Sequence, residues 1–73
     1  MMRRKLIIVK SITHAMRGQS LLNSYNIKNT MERNIYAVEK YGCGYGLRVR
    51  EMDLNRALKL LSENDFKIVE ITD

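Results

Sequence analysis

The 73-residue sequence predicts a ferredoxin-like α+β domain, a four-stranded antiparallel sheet with two helices on one face. Two observations predict this fold. Short apolar runs typical of strands alternate with amphipathic stretches typical of helices, in the order β-α-β-β-α-β. The chain also has no proline, and its glycines are concentrated in one cluster, so that no linker divides it. We therefore expect residues 1–73 to form a single domain.

The first half of the chain predicts a strand, a helix and a second strand. Residues 5–10 form a nearly continuous apolar run that is too short for a helix and is typical of a central strand. Apolar residues then recur at helical spacing over residues 13–24, with Ser11 and Thr13 as candidate N-caps. Residues 27–33 alternate weakly and predict a short edge strand.

The second half predicts the remaining three elements. Residues 34–41 have no clean period and are expected to form a single helical turn or a loop over the core. Residues 45–50 alternate apolar side chains with glycine and arginine, which indicates a half-buried strand. Asp53 is a candidate N-cap for a second amphipathic helix over residues 54–63, and residues 66–71 predict the last strand.

Composition limits the cellular setting and the partners. The longest apolar run, residues 6–9, is far shorter than the roughly 20 residues that a bilayer span needs, so we expect no membrane contact. A single cysteine cannot form an internal disulfide, which favours a reducing, cytoplasmic location. The net charge of +5 favours an anionic partner, although an ordinary basic surface has the same charge.

The predicted topology brings the glycine cluster to the start of the first helix. In this fold the third strand lies between the first two and begins at the sheet edge where the first strand ends. Gly42-Cys43-Gly44 should therefore lie near residues 11–14. Because a helix amino terminus carries a partial positive charge, it lowers the pKa of a neighbouring thiol. Thr13 and His14 stand in that first helical turn.

Cys43 is thus the candidate reactive group, with Thr13 and His14 as the residues that activate its thiol. Glycines flank the thiol, allow positive φ angles and leave room for a partner to approach; they are Gly42, Gly44 and Gly46. Structural alternatives stay open. A lone cysteine is often a buried, unreactive packing residue, and His14 is also explained as a solvated residue. The glycines are also explained as residues that shape a hairpin.

Arg48 and Arg50 are the candidate anion-binding residues, since the strand alternation places both on the open face of the sheet. A solvated basic face is the alternative interpretation. One histidine and one cysteine cannot assemble a zinc site, and no phosphate-binding loop motif is present, so we expect neither metal nor cofactor. The third strand lacks the aromatic signature of an RNA recognition motif, and nucleic acid is not the expected partner.

Two segments carry a family resemblance. Thr13-His14-Ala15 at a helix start, followed by residues 42–49, resembles a small bacterial family of unknown function described as selenium/sulfur carrier-like proteins. The resemblance covers about residues 6–71. It implies that Cys43 is the carrier thiol. It also implies a persulfide or selenide held on that sulfur and passed from donor to acceptor proteins.

Three functions are therefore weighed. The first is a carrier that uses Cys43, rather than an enzyme, because no third group is visible to orient a catalytic base. The second is a binding or regulatory module that recognises an anionic ligand or nucleic acid through Arg48, Arg50 and the basic amino terminus. The third is a subunit that forms a homodimer through its open sheet face.

Overall fold

The computed structural model describes residues 3–42 and 44–73, apart from the side chain of Tyr41. Seven regular elements and one 3-10 turn follow each other along the described chain. They are β1 (Arg4–Val9), α1 (Ile12–Ser24), β2 (Asn29–Arg33), α2 (Ile35–Tyr41), β3 (Tyr45–Arg50), the 3-10 turn (Glu51–Asp53), α3 (Leu54–Glu63) and β4 (Ile68–Thr72).

The four strands form one sheet in the order β2-β3-β1-β4, and each neighbouring pair is antiparallel. This arrangement confirms the predicted ferredoxin-like α+β fold. The central position of β1 explains its sequence, because Leu6, Ile7, Ile8 and Val9 are all almost completely buried. The register pairs Ile8 with Gly46, so β1 ends and β3 begins at the same edge of the sheet.

One face of the sheet packs against α1 and α3 and holds the larger core. Ile7, Val9, Leu47 and Val49 supply the strand side of this core. Gly18 lets α1 approach closely, since a Cβ atom at this position would lie 2.8 Å from Leu47 Cδ1. We call this surface of the sheet the helical face.

Residues 35–41 form a helix on the opposite face of the sheet, whereas the sequence predicts only a single helical turn or a loop for residues 34–41. The side chain of Asn34 caps α2 by accepting a hydrogen bond from the Ala37 amide, at 3.0 Å. Ala37 packs in a separate small cluster with Leu6 and Ile8. Strand alternation directs these two side chains away from α1 and α3, and α2 removes them from water. The sheet therefore carries two helices on one face, as predicted, and a third on the other, which we call the α2 face.

Several element boundaries differ from the sequence predictions. β1 is Arg4–Val9 instead of residues 5–10, and β2 begins at Asn29 instead of residue 27. Ser11, one of the two candidate N-caps, caps α1, which therefore begins at Ile12. β4 begins at Ile68, because Phe66 before it is buried in the core of the helical face. Asp53 precedes α3 as predicted but its side chain makes no capping hydrogen bond, since its carboxylate accepts from Arg50 instead.

Candidate functional site

The glycines around Cys43 have different structural roles. Gly42 ends α2 with a left-handed backbone, φ +79°, and its amide donates to the Val38 carbonyl oxygen at 2.9 Å. It is exposed, and an added Cβ atom would meet nothing within 4 Å. Gly42 is therefore needed for its backbone conformation, as the sequence predicts for this cluster.

Gly44 is buried beneath the start of α2. A Cβ atom there would lie 2.9 Å from the Val38 amide nitrogen and closer still to the Asn34 carbonyl oxygen. Its own carbonyl oxygen accepts from the Asn34 amide at 2.7 Å. Gly46 is similarly close-packed, with its virtual Cβ 2.9 Å from the Ile7 carbonyl oxygen. These two glycines serve close packing, a role that the sequence alone does not distinguish from open access.

Cys43 lies outside the described residues, and the predictions made for its thiol stay predictions. Its neighbours on both sides are described, and they connect the end of α2 to the start of β3. Two large apolar side chains are exposed at the start of the same helix: Ile35 is 73% exposed and Tyr36 is 58% exposed. The segment that carries the cysteine is thus preceded by an apolar helix surface.

The first turn of α1 begins at the same sheet edge. Ser11 Oγ accepts from the His14 amide at 3.2 Å and lies 3.0 Å from His14 Nδ1. The His14 ring meets Phe66 edge-on at 6.0 Å between ring centroids, on the helical face, and Thr13 is exposed. The start of α1 and Gly44 therefore share one edge of the sheet, although α1 and α2 cover opposite faces. Activation of Cys43 by Thr13 and His14 is not tested by these contacts.

Arg48 and Arg50 lie at the other end of β3. Five residue steps separate Tyr45 from Arg50, which is about 17 Å along the strand. Arg48 donates to Glu32 through Nε at 2.9 Å and through Nη2 at 3.1 Å. Arg50 donates through Nε to Asp53 Oδ2 at 2.9 Å. Both predicted anion-binding residues thus already form an ion pair with a carboxylate of this chain.

The two ion pairs differ in whether sequence spacing predicts them. Asp53 follows Arg50 by three residues, a spacing that brings side chains together in a helical turn. Glu32 and Arg48 are on different strands, and only the β2–β3 register makes them neighbours, since Thr30 pairs with Arg48 and Glu32 with Gly46.

A third ion pair joins β1 to the last residue. Lys5 Nζ donates to Asp73, and this hydrogen bond and the lysine charge hold the pKa of Asp73 below its ordinary value of 3.8. Within residues 3–42 and 44–73, no group of three or more His, Cys, Asp or Glu side chains is placed to hold a metal ion. None of the helices in this part of the chain is long and apolar enough to cross a bilayer.

Comparison with known families finds one family model that matches residues 4–73, nearly the whole chain. The family is described as "Putative Se/S carrier protein-like". Comparison with curated proteins and with solved structures finds no significant match.

Proposed function

Since the chain belongs to the Se/S carrier protein-like family, we propose that it carries sulfur or selenium on Cys43 and passes it from a donor protein to an acceptor protein. The observation that carries this proposal is the family match over residues 4–73 in a chain with a single cysteine. A reducing cytoplasm suits such a carrier, because it keeps the thiol free between transfers.

The position of Cys43 in the sequence supports a carrier role. It follows an exposed glycine in a left-handed conformation and precedes a glycine that is anchored to α2. A transfer carrier needs one nucleophilic thiol, and the partner enzyme supplies the rest of the site. The chain has no second cysteine with which Cys43 could form an internal disulfide after loading.

The transfer step needs no external oxidant. The Cys43 thiolate attacks the outer sulfur atom of a donor persulfide, R–S–SH, and forms a new S–S bond. The donor S–S bond breaks, and its electron pair leaves on the donor sulfur as a thiolate, R–S⁻. The proton on the outer sulfur stays with it, so that Cys43 becomes a persulfide. Loading with selenium follows the same balance, with selenium in place of the outer sulfur.

The start of α1 is the proposed activating group, because the thiolate is the reactive form of cysteine. Support comes from the shared sheet edge: Ile8 pairs with Gly46, β1 then leads into α1, and β3 leads back to Gly44. The 13-residue α1 directs the positive end of its dipole to this edge. Thr13 and His14 are proposed to add a hydroxyl group and a proton relay there.

The proposed partners are the donor and acceptor proteins, which must reach residues 42–44. The exposed side chains of Ile35 and Tyr36, eight and seven residues before Cys43 in the sequence, offer an apolar contact surface. A homodimer is a separate proposal that sedimentation tests directly.

Intact-mass measurement tests the carrier. The protein purified without reductant, and the protein incubated with glutathione persulfide, are expected to gain about 32 Da on Cys43, or about 79 Da when selenium is loaded. The Cys43→Ser variant is the matched control and should gain neither. If the native chain stays unmodified while the urea-unfolded chain gains the adduct, the thiol is inaccessible and the proposal is wrong.

Alkylation kinetics test the activation. We expect iodoacetamide to modify Cys43 with an apparent pKa below about 8.5, the value of an ordinary thiol. His14→Gln and Thr13→Val should raise that pKa. Lys10→Gln removes an exposed charge just before α1 and is the control for an effect of net charge alone. An apparent pKa of about 8.5 or more in the unmodified protein contradicts activation.

The alternative function is a binding module that uses Arg48 and Arg50. Both guanidinium groups are already bound to carboxylates, which makes these two residues alone a poor anion site. A carrier function accounts for both the family membership and the single cysteine, whereas an anion-binding module accounts for neither.

A further inference from the structure

A cleft of about 450 Å³ opens at the end of the sheet opposite to Gly44. Its walls are the end of α1, the start of β2, the end of β3 and the start of β1. Four of its lining residues carry a positive charge: Arg4, Lys28, Arg48 and Arg50. The other polar groups that line it are Asn23, Asn29 and Thr30. We call this the cationic cleft.

Charge is not balanced in the cationic cleft. Glu32 neutralises Arg48 and Asp53 neutralises Arg50. Within residues 3–42 and 44–73, Arg4 and Lys28 form no ion pair. The four cations and two carboxylates leave a local charge of two positive units, concentrated in a concave surface, where it attracts anions most strongly.

The strand register places Arg4 directly beside a second guanidinium group. Arg4 pairs with Arg50, whose charge is offset by Asp53. Arg48 is on the same face two residues before Arg50. An anion between these side chains could accept from Arg4 and from the donors of Arg48 and Arg50 that their carboxylate partners leave available.

The carboxylates orient the guanidinium groups of the cationic cleft. Arg48 uses one Nε–H and one Nη2–H on Glu32, and Arg50 uses the corresponding two groups on Asp53. A guanidinium group has five N–H donors, so three of each remain. Because the pairs hold both groups in place, a ligand would not have to order them, which favours binding.

We propose that the cationic cleft binds a small phosphate-bearing ligand. A phosphate monoester carries about two negative charges near neutral pH and a diphosphate about three, which is enough to compensate the charge of Arg4 and Lys28. Its several oxygens also accept from donors that converge from different strands, as arginine and lysine do here. This site is independent of the thiol chemistry at the other end of the sheet.

A long polyanion fits the same surface less well. The α2 face beyond the cleft carries Glu32 and Glu70, and α2 itself covers Leu6 and Ile8. Glu32 is paired with Arg48 and Glu70 with Lys40, so these residues add no net positive charge that a polynucleotide backbone could bind along this face. The cleft therefore favours a compact ligand over a strand of RNA or DNA.

Titration with inorganic pyrophosphate, followed by NMR, tests the proposal. We expect saturable shifts confined to the amides near residues 28–30 and 48–50. Arg4→Gln and Lys28→Gln should each weaken binding by about tenfold, the loss expected for one charge-assisted contact. Lys10→Gln is the matched control: it removes the same charge from an exposed residue at the other end of β1 and should leave the affinity unchanged.

Melting temperatures give a second readout that does not depend on the shifts. Pyrophosphate at ten times its dissociation constant should raise the melting temperature of the unmodified protein by about 8 °C. Arg4→Gln should melt at about the same temperature as the unmodified protein without ligand, because Arg4 is exposed and forms no ion pair among the described residues, and it should gain less from pyrophosphate.

Three results would overturn the cationic cleft as a phosphate site. One is the absence of saturable binding by pyrophosphate. Another is an equal loss of affinity in Lys10→Gln, which would mean that net charge alone attracts the anion. The third is binding of a 20-nucleotide RNA that pyrophosphate neither matches nor displaces, which would indicate a nucleic-acid surface instead.

Discussion

The two ends of the sheet are built on opposite principles. At the end that carries Gly42 and Gly44, the main chain packs without side chains, and a hydrogen bond of 2.7 Å joins the Asn34 amide to the Gly44 carbonyl oxygen. At the other end, long charged side chains surround the cationic cleft. At the first end the Gly44 position has no room for a Cβ atom, whereas the second end tolerates changes of side chain and responds to charge. Local rigidity and local charge are thus separated by about 17 Å within one small domain.

The largest expected effect belongs to the glycine end. Gly44→Ala should lower the free energy of unfolding by about 3 kcal/mol, since its Cβ would collide with main-chain atoms of Asn34 and Val38 that cannot move without shifting α2. Gly42→Ala is the matched comparison. It meets no steric obstacle and should cost only about 1 kcal/mol, from its left-handed backbone.

Urea unfolding followed by circular dichroism measures both variants. Equal losses would break the comparison, because they would mean that the Gly44 position is not sterically closed. Gly42→Asn should recover part of the loss of Gly42→Ala, since asparagine tolerates a left-handed conformation better than alanine.

A smaller effect is expected at the charged end. Glu32→Gln removes the bidentate partner of Arg48, in a pair whose side chains are 20% and 37% exposed. Water and salt screen a pair of this exposure, so the expected loss is about 0.5 kcal/mol, and it should shrink further in 1 M salt. A loss as large as that of Gly44→Ala would show that the charged end is as tightly packed as the glycine end.

The smallest effect concerns Asp73. Lys5 lowers the pKa of this carboxyl group in the folded chain, so the pair stabilises the fold above pH 3.8 and this contribution disappears as the pH falls through the folded pKa. Lys5→Met should move the Asp73 pKa up toward 3.8, as measured by NMR titration of the side-chain carbon. An unchanged pKa would show that the pair does not persist in solution.

Several features of the site could be predicted from the sequence and others could not. The left-handed glycine at the end of α2 belongs to a cluster whose composition already indicated unusual backbone angles. The position of Gly44 and the start of α1 at one sheet edge followed from the order of the elements. The pairing of Arg48 with Glu32 did not, because nothing in either segment indicates which residues of β2 and β3 stand side by side.

The sequence by itself determined the order of the four strands and of the helices α1 and α3, through the apolar period of each segment, and it limited the thiol chemistry to one residue, Cys43. The tertiary structure decided that α2 covers Leu6 and Ile8, that Gly44 is buried beneath that helix, and that Arg4 faces Arg50. The physical reason is the range of the interactions. Periodicity acts between residues a few positions apart, whereas strand register and the packing of a helix on a sheet depend on contacts between segments distant in the chain.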